Sequence, residues 1–138
     1  MTFLAERLAE LRKHLDHLRA VRPRVEGPDS LEQDLSLHND VLFSLLTVAQ
    51  LVIDISGELG ARQGLRFEDY TQAVRNLASL ESFPPDLVER LARLPGFRNV
   101  LLHDYVELDY AIATAALNDL EPVEQFVRIV ASMERDAD

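Results

Sequence analysis

The sequence predicts an all-α fold, a helical bundle. Leucines near the N-terminus recur at spacings of three and four, a long apolar run follows a helical pattern, and proline and glycine pairs cut the chain into helix-sized pieces. No stretch alternates apolar and polar residues with the period of a strand, and no internal repeat is present. At 138 residues the chain is long enough to bury a core, and residues 1–138 read as one domain.

Leu4, Leu8, Leu11, Leu15 and Leu18 form one stripe of a first amphipathic helix, which Arg22-Pro23 and Gly27-Pro28 end. Asp29 or Ser30 is placed to cap a second, long helix carrying Leu31, Leu35, Val41, Leu42, Leu45, Leu46, Val48, Ala49, Val52 and Ile53. Its middle is apolar nearly all round, so it should be the most buried helix, or one buried further by a partner chain. Gly57, Gly60 and Gly64 mark its end and the following loop. A third helix is expected from about Phe67 to Leu80, with Tyr70, Val74 and Leu77 facing inward.

Pro84-Pro85 breaks the chain, Asp86 to Leu94 reads as a short fourth helix, and Pro95-Gly96 is a second break. A fifth helix starts at about Phe97. It ends near Leu108 or passes through Asp109 into Tyr110 to Val130, where Pro122 kinks or restarts it by removing a helical hydrogen bond. Phe97 and Tyr110 read as core or dimer contacts.

Several function classes drop out on composition. With no cysteine there is neither a disulfide framework nor a thiolate metal site. Acid and base arrive too early in Met1 to Arg7 for a signal peptide, and Ser44, Thr47, Gln50 and Asp54 interrupt the apolar run Val41 to Ile55, so no membrane span is expected. A soluble, cytoplasmic protein is the expectation. The net charge of −10 is unlike the basic footprint of most nucleic-acid proteins. Lys13 is the only lysine, so the positive charge is nearly all arginine, the side chain suited to bidentate phosphate contacts. Any RNA contact must then be a small, focused patch.

His14 and His17, three apart on the first helix, have a spacing that can hold a metal, but no other ligand pattern completes a site, and a polar helix edge is the simpler reading. Asp34 and His38 lie one turn apart and read as an ion pair.

The chemistry gathers in Arg98-Asn99-Val100-Leu101-Leu102-His103-Asp104-Tyr105. After the Pro95-Gly96 break, Arg98 and Asn99 are expected in the first turn of a helix, where free N–H groups and the helix dipole favour an anion. Asn99 and His103 share a face, so the amide is placed to orient the imidazole. Arg98 and His103 are five residues apart, about 140° around an ideal helix. Either the flexible arginine bridges that gap or a second chain completes the site, and the latter predicts a two-fold dimer with both segments in one cleft.

This segment resembles the HepT-like toxins of the HEPN superfamily. Arg98, four residues and His103 match the R-x4-6-H signature of HEPN ribonucleases, with a polar residue, Asn99, after the arginine. Tyr105 extends the match to the R-x4-H-x-Y form typical of HepT proteins. The run Gly96 to His103, the preceding Leu87 to Ala92 and the core segment Val52 to Ile55 agree in order and spacing, and the likeness covers about residues 31 to 130.

The resemblance implies a four- to five-helix up-down bundle, a homodimer, and a metal-independent endoribonuclease that needs no cofactor and acts on RNA, often tRNA. It implies the toxin of a type VII-like pair, whose partner is a minimal nucleotidyltransferase (MNT) antitoxin of the MntA type. In that scheme His103 serves as general base or acid at the ribose 2′-hydroxyl and leaving oxygen, Arg98 binds the scissile phosphate, and Asn99 positions phosphate or imidazole. Tyr105 matches the tyrosine that such an antitoxin modifies with AMP, which would fill the cleft and neutralise Arg98. A second function in keeping with the fold is a non-catalytic docking subunit of a small nucleotidyltransferase, which the acidic charge favours. Docking alone requires none of Arg98, Asn99, His103 and Tyr105.

Overall fold

A computed structural model describes residues 2–103 and 107–137, all of the latter but the side chain of Ala137. Among the described residues regular structure is entirely helical: α1 (Phe3–Val21), α2 (Pro28–Gln33), α3 (Leu35–Arg62), α4 (Tyr70–Arg75), α5 (Pro85–Leu91), α6 (Leu94–His103), α7 (Tyr110–Leu117) and α8 (Glu121–Ala137), with two short 3-10 turns.

Four of these helices form the bundle. His14 meets Ser44 and His17 meets Asp40, so α1 and α3 run antiparallel. Arg98 meets Gln50, and Leu102 faces Leu46 one turn further back, so α6 also runs against α3. Arg19 pairs with Glu124 and Arg62 with Glu134, which lays α8 against α1 and along α3. The result is an up-down-up-down bundle with α2, α4, α5 and α7 as connecting helices.

The leucine stripe of α1 is buried from Leu4 to Val21, as its spacing requires. Each fully buried leucine contributes roughly 1.5–3 kcal/mol. Helix α3 is the hub, packing on α1, α2, α4, α6 and α7. It is long and apolar enough to cross a membrane, and more than half of its apolar window is buried inside the bundle. At the far end Phe83 and Phe126 pack ring to ring, both buried.

Several boundaries differ from expectation. The second helix is two. Asp34 adopts an extended conformation (φ −118°, ψ 102°) and its carboxylate accepts the Leu37 N–H at 3.1 Å, so it caps α3 rather than pairing with His38. Its cationic neighbour is Arg24, 4.0 Å away, while His38 bonds Tyr110. Helix α2 starts at Pro28 behind Gly27, and Ser30 instead accepts the Glu26 N–H. Gly57 and Gly60 do not end α3, which runs to Arg62. Only Gly64, at φ +76°, needs glycine's left-handed freedom.

The third helix shrinks to Tyr70–Arg75 followed by a 3-10 turn, because Asp69 caps it at Gln72 N–H (2.8 Å) and Gln72 reaches back to Glu68 N–H. Tyr70 thus sits at a helix start, 43% exposed, not inward. Pro95-Gly96 does not break the chain either. The break falls at Ala92-Arg93, and Pro95 occupies the first turn of α6, where its missing N–H costs nothing. Beyond the undescribed stretch 104–106, Tyr110 to Val130 is two helices. Asp109 caps α7, and Pro122 restarts the chain in the first turn of α8.

Candidate functional site

Helix α6 brings Arg98 and Asn99 onto the bundle's middle. Since α6 begins at Leu94 and Phe97 N–H already bonds Arg93 C=O, Arg98 and Asn99 lie past the first turn. The backbone N–H groups expected to hold an anion there are used in the helical ladder. What this segment offers an anion is the guanidinium itself.

That guanidinium is half-buried and held on three sides. Arg98 Nε donates to Gln50 Oε1, and Nη1 donates to Asn99 Oδ1 at 2.9 Å. The ring of Tyr70 lies 5.3 Å from the guanidinium carbon, a cation–π contact. Gln50 is itself anchored, its Nε2 donating to Asp54 Oδ1 at 2.8 Å. Among the described residues no carboxylate lies within 4.0 Å of Arg98, in contrast to Arg62, Arg75 and Arg90, each paired with glutamate. A half-buried cation with neutral partners keeps its full charge for an incoming anion.

Arg98 and Leu102 form one wall of a shallow cleft of about 270 Å³, and Leu46, Thr47, Gln50 and Leu51 of α3 form the other. Leu46, half-buried, and Leu102, 37% exposed, make this cleft apolar beside the arginine. One turn before Leu46 on α3, Phe43 is 63% exposed and lies 5.9 Å from the His14 ring, beside half-buried Leu42.

His103 is the last residue of the same helix. It is exposed, and among the described residues its ring has no hydrogen-bond partner. Asn99 Oδ1 accepts from Arg98, and among the described residues no hydrogen bond joins the Asn99 amide to the imidazole. Five residues apart on α6, Arg98 and His103 leave the helix about 140° apart around its axis. Tyr105 and Asp104 lie outside the described residues.

Sequence reasoning missed Gln50, Asp54 and Tyr70. The signal was present for two of them: Thr47, Gln50 and Asp54 interrupt the apolar helix at spacings of three and four and so share one face. Tyr70 had no such signal, since its position depends on where Asp69 starts α4.

A second polar cluster lies at the α1–α3 seam, where a groove of about 750 Å³ is lined by Lys13, His14, His17, His38 and Phe43 among others. His14 Nδ1 bonds Ser44 Oγ at 2.9 Å. Burial lowers the His14 pKa from its ordinary 6.5, against an opposing pull from Glu10. His17 lies 3.9 Å from Asp40, and His38 bonds the Tyr110 hydroxyl at 3.1 Å. Both histidines of α1 thus have local polar partners.

Comparison with known proteins shows the family and the fold. Residues 6–130 match the model of a family described as ribonuclease HepT-like. The chain is 28% identical over 101 residues to an mRNA nuclease HepT of Shewanella oneidensis, covering 72% of this chain and 76% of that one. It is 31% identical over 96 residues to a putative RNase of Archaeoglobus fulgidus, covering 70% and 72%. In fold it is similar to a tri-AMPylated Shewanella oneidensis HEPN toxin solved in complex with an MNT antitoxin. That match has a TM-score of 0.82 at 23% identity, over 96% of this chain and 99% of the other.

Proposed function

The chain belongs to the ribonuclease HepT-like family, and from that premise we propose that it is an endoribonuclease toxin working through Arg98 and His103. The observation that carries this reading is the half-buried Arg98 guanidinium, held by neutral groups and facing an open cleft. An RNA phosphate is the anion it suits, because a guanidinium offers paired N–H donors to two phosphate oxygens.

In this scheme Arg98 binds the scissile phosphate and stabilises the charge that builds on it. His103 takes the 2′-hydroxyl proton or protonates the leaving oxygen, and no metal is needed for either step. Asn99 acts on the arginine rather than on the imidazole. Because Arg98 and His103 are five residues apart on one helix, about 140° around its axis, the working site in this reading pairs Arg98 of one protomer with His103 of its copy in a two-fold dimer. The apolar side chains of Phe43, Leu46 and Leu102, on α3 and α6, form the surface that a second copy would cover.

The partner proposed is an MNT-type nucleotidyltransferase antitoxin, as in the complex of the similar HEPN toxin. That toxin is AMPylated. Tyr105, two residues after His103, is the proposed acceptor here, and an adenylate on it would bring a negative charge to the arginine's cleft. The docking-subunit reading is favoured by one observation, the net charge of −10, which on balance opposes RNA binding.

The deciding experiment is cleavage of total cellular RNA by unmodified protein in excess chelator, beside Arg98→Ala and His103→Ala. Cleavage by the wild type alone, leaving cyclic phosphate or 3′-phosphate ends, is the expected result. No cleavage with Tyr105 free of AMP would favour the docking subunit.

A further inference from the structure

Gln50 has two hydrogen-bonding faces, and both are used. Its Nε2 donates to Asp54 Oδ1 at 2.8 Å while its Oε1 accepts from Arg98 Nε. A carboxylate only accepts. Asp54 therefore selects one of the two ways the amide can turn, the one that shows oxygen to the arginine. Turned over, the amide would point its NH2 group at a guanidinium and its oxygen at a carboxylate, losing both bonds.

Helix geometry supports the lock, since Gln50 and Asp54 are one turn apart on α3 and face the same way. Gln50 holds the Nε edge of the guanidinium, Asn99 takes one Nη1 hydrogen and Tyr70 lies against its face. The remaining N–H donors on Nη1 and Nη2 have no acceptor among the described residues. They form the edge that a phosphate can meet with two parallel bonds. An amide oxygen fixes this orientation without neutralising the charge, which a carboxylate in its place would do.

We propose that Gln50, locked by Asp54, is a positioning residue that aims the free edge of Arg98 at the RNA phosphate. This rests on the reading of Arg98 as the phosphate-binding group. Gln50 does not touch the reacting atoms; it acts through Arg98 alone. Removing it should therefore matter only while the arginine is present.

The test is a double-mutant cycle on RNA affinity. Binding of a fluorescein-labelled single-stranded RNA of mixed sequence is measured in the His103→Ala protein, which leaves the RNA uncut. Gln50→Met removes the acceptor at nearly constant shape and should weaken binding about tenfold, the loss of one hydrogen bond to a charged group. Added to Arg98→Ala, it should change affinity by less than about twofold. In protein with His103 intact, Gln50→Met should slow cleavage by a similar factor. Asp54→Ala, which frees the amide to turn, should give a smaller loss of the same kind and decides the matter if Gln50→Met fails to fold.

Losses that are the same with and without Arg98 would overturn the inference while leaving the nuclease reading intact, as would wild-type affinity in both variants. RNA left uncut by the wild type would overturn the nuclease reading and this inference with it.

Discussion

The guanidinium of Arg98 lies over the ring of Tyr70, 5.3 Å from its centroid. Two helices meet in that contact, because Asp69 caps α4 and so fixes Tyr70 as its first residue. The attraction comes from the ring's face, not its hydroxyl. Tyr70→Phe should therefore keep RNA cleavage near the wild-type rate. Tyr70→Ala should lower kcat/KM about two- to fivefold, matching a cation–π contact of roughly 0.5–1 kcal/mol at an exposed site. Equal losses in the two variants would mean that the hydroxyl, not the ring, matters.

The bundle was legible where periodicity dictates packing. The leucines of α1 and the apolar middle of α3 went to the core because a stripe or an all-round apolar helix has no other stable place. Boundaries were less legible because side-chain caps set them. Asp34 divides α2 from α3 without any proline or glycine to announce it, and Asp69 shortens α4. Pro95-Gly96 misled for the opposite reason, since a proline in a helix's first turn starts the helix rather than ending it. At the site, the sequence placed Arg98 and His103 on one helix, and both lie on α6. The groups that hold Arg98 come from α3 and α4, contacts between distant segments that no local pattern encodes.

His14 makes stability depend on pH. Burial holds its pKa below 6.5, so the folded protein prefers the neutral ring. The unfolded chain binds the proton more readily, so this contribution is fully present above about pH 6.5 and is lost as pH falls toward the lowered folded value. The melting temperature of the wild type should fall across that window. His14→Gln, which can still bond Ser44, should flatten the fall. An unchanged slope in the variant would assign the acid sensitivity to other groups.

Two glycines that sequence alone treats alike should behave oppositely. Gly60 is helical, and a Cβ there would meet Asn76 Cβ at 3.7 Å, ordinary contact. Gly60→Ala should stabilise the protein by up to about 1 kcal/mol through helix propensity, raising Tm by about 4 °C. Gly64 has open space around it but φ +76°, which an L side chain resists. Gly64→Ala should therefore cost about 1 kcal/mol and lower Tm by a similar amount. Thermal unfolding of the two single variants checks both signs.

The proposed dimer makes the sharpest demand on the exposed strip of α3 and α6. Phe43 is 63% exposed beside half-buried Leu42, one turn before Leu46, and Leu102 is 37% exposed across the cleft from Leu46. Exposed apolar side chains this close together gain by meeting a second apolar surface. In the proposed dimer a second copy also supplies the His103 that works with Arg98. Phe43→Glu places a charge on that strip without disturbing the buried core, so the variant should melt near the wild-type temperature. It should sediment as a monomer where the wild type sediments as a dimer, and it should lose RNA cleavage at the same time. Coupled loss is the essential point, because Phe43 is not itself proposed to contact the phosphate. A monomeric wild type that cuts RNA would show that Arg98 and His103 work within one chain, and the two-fold site would then have to be given up.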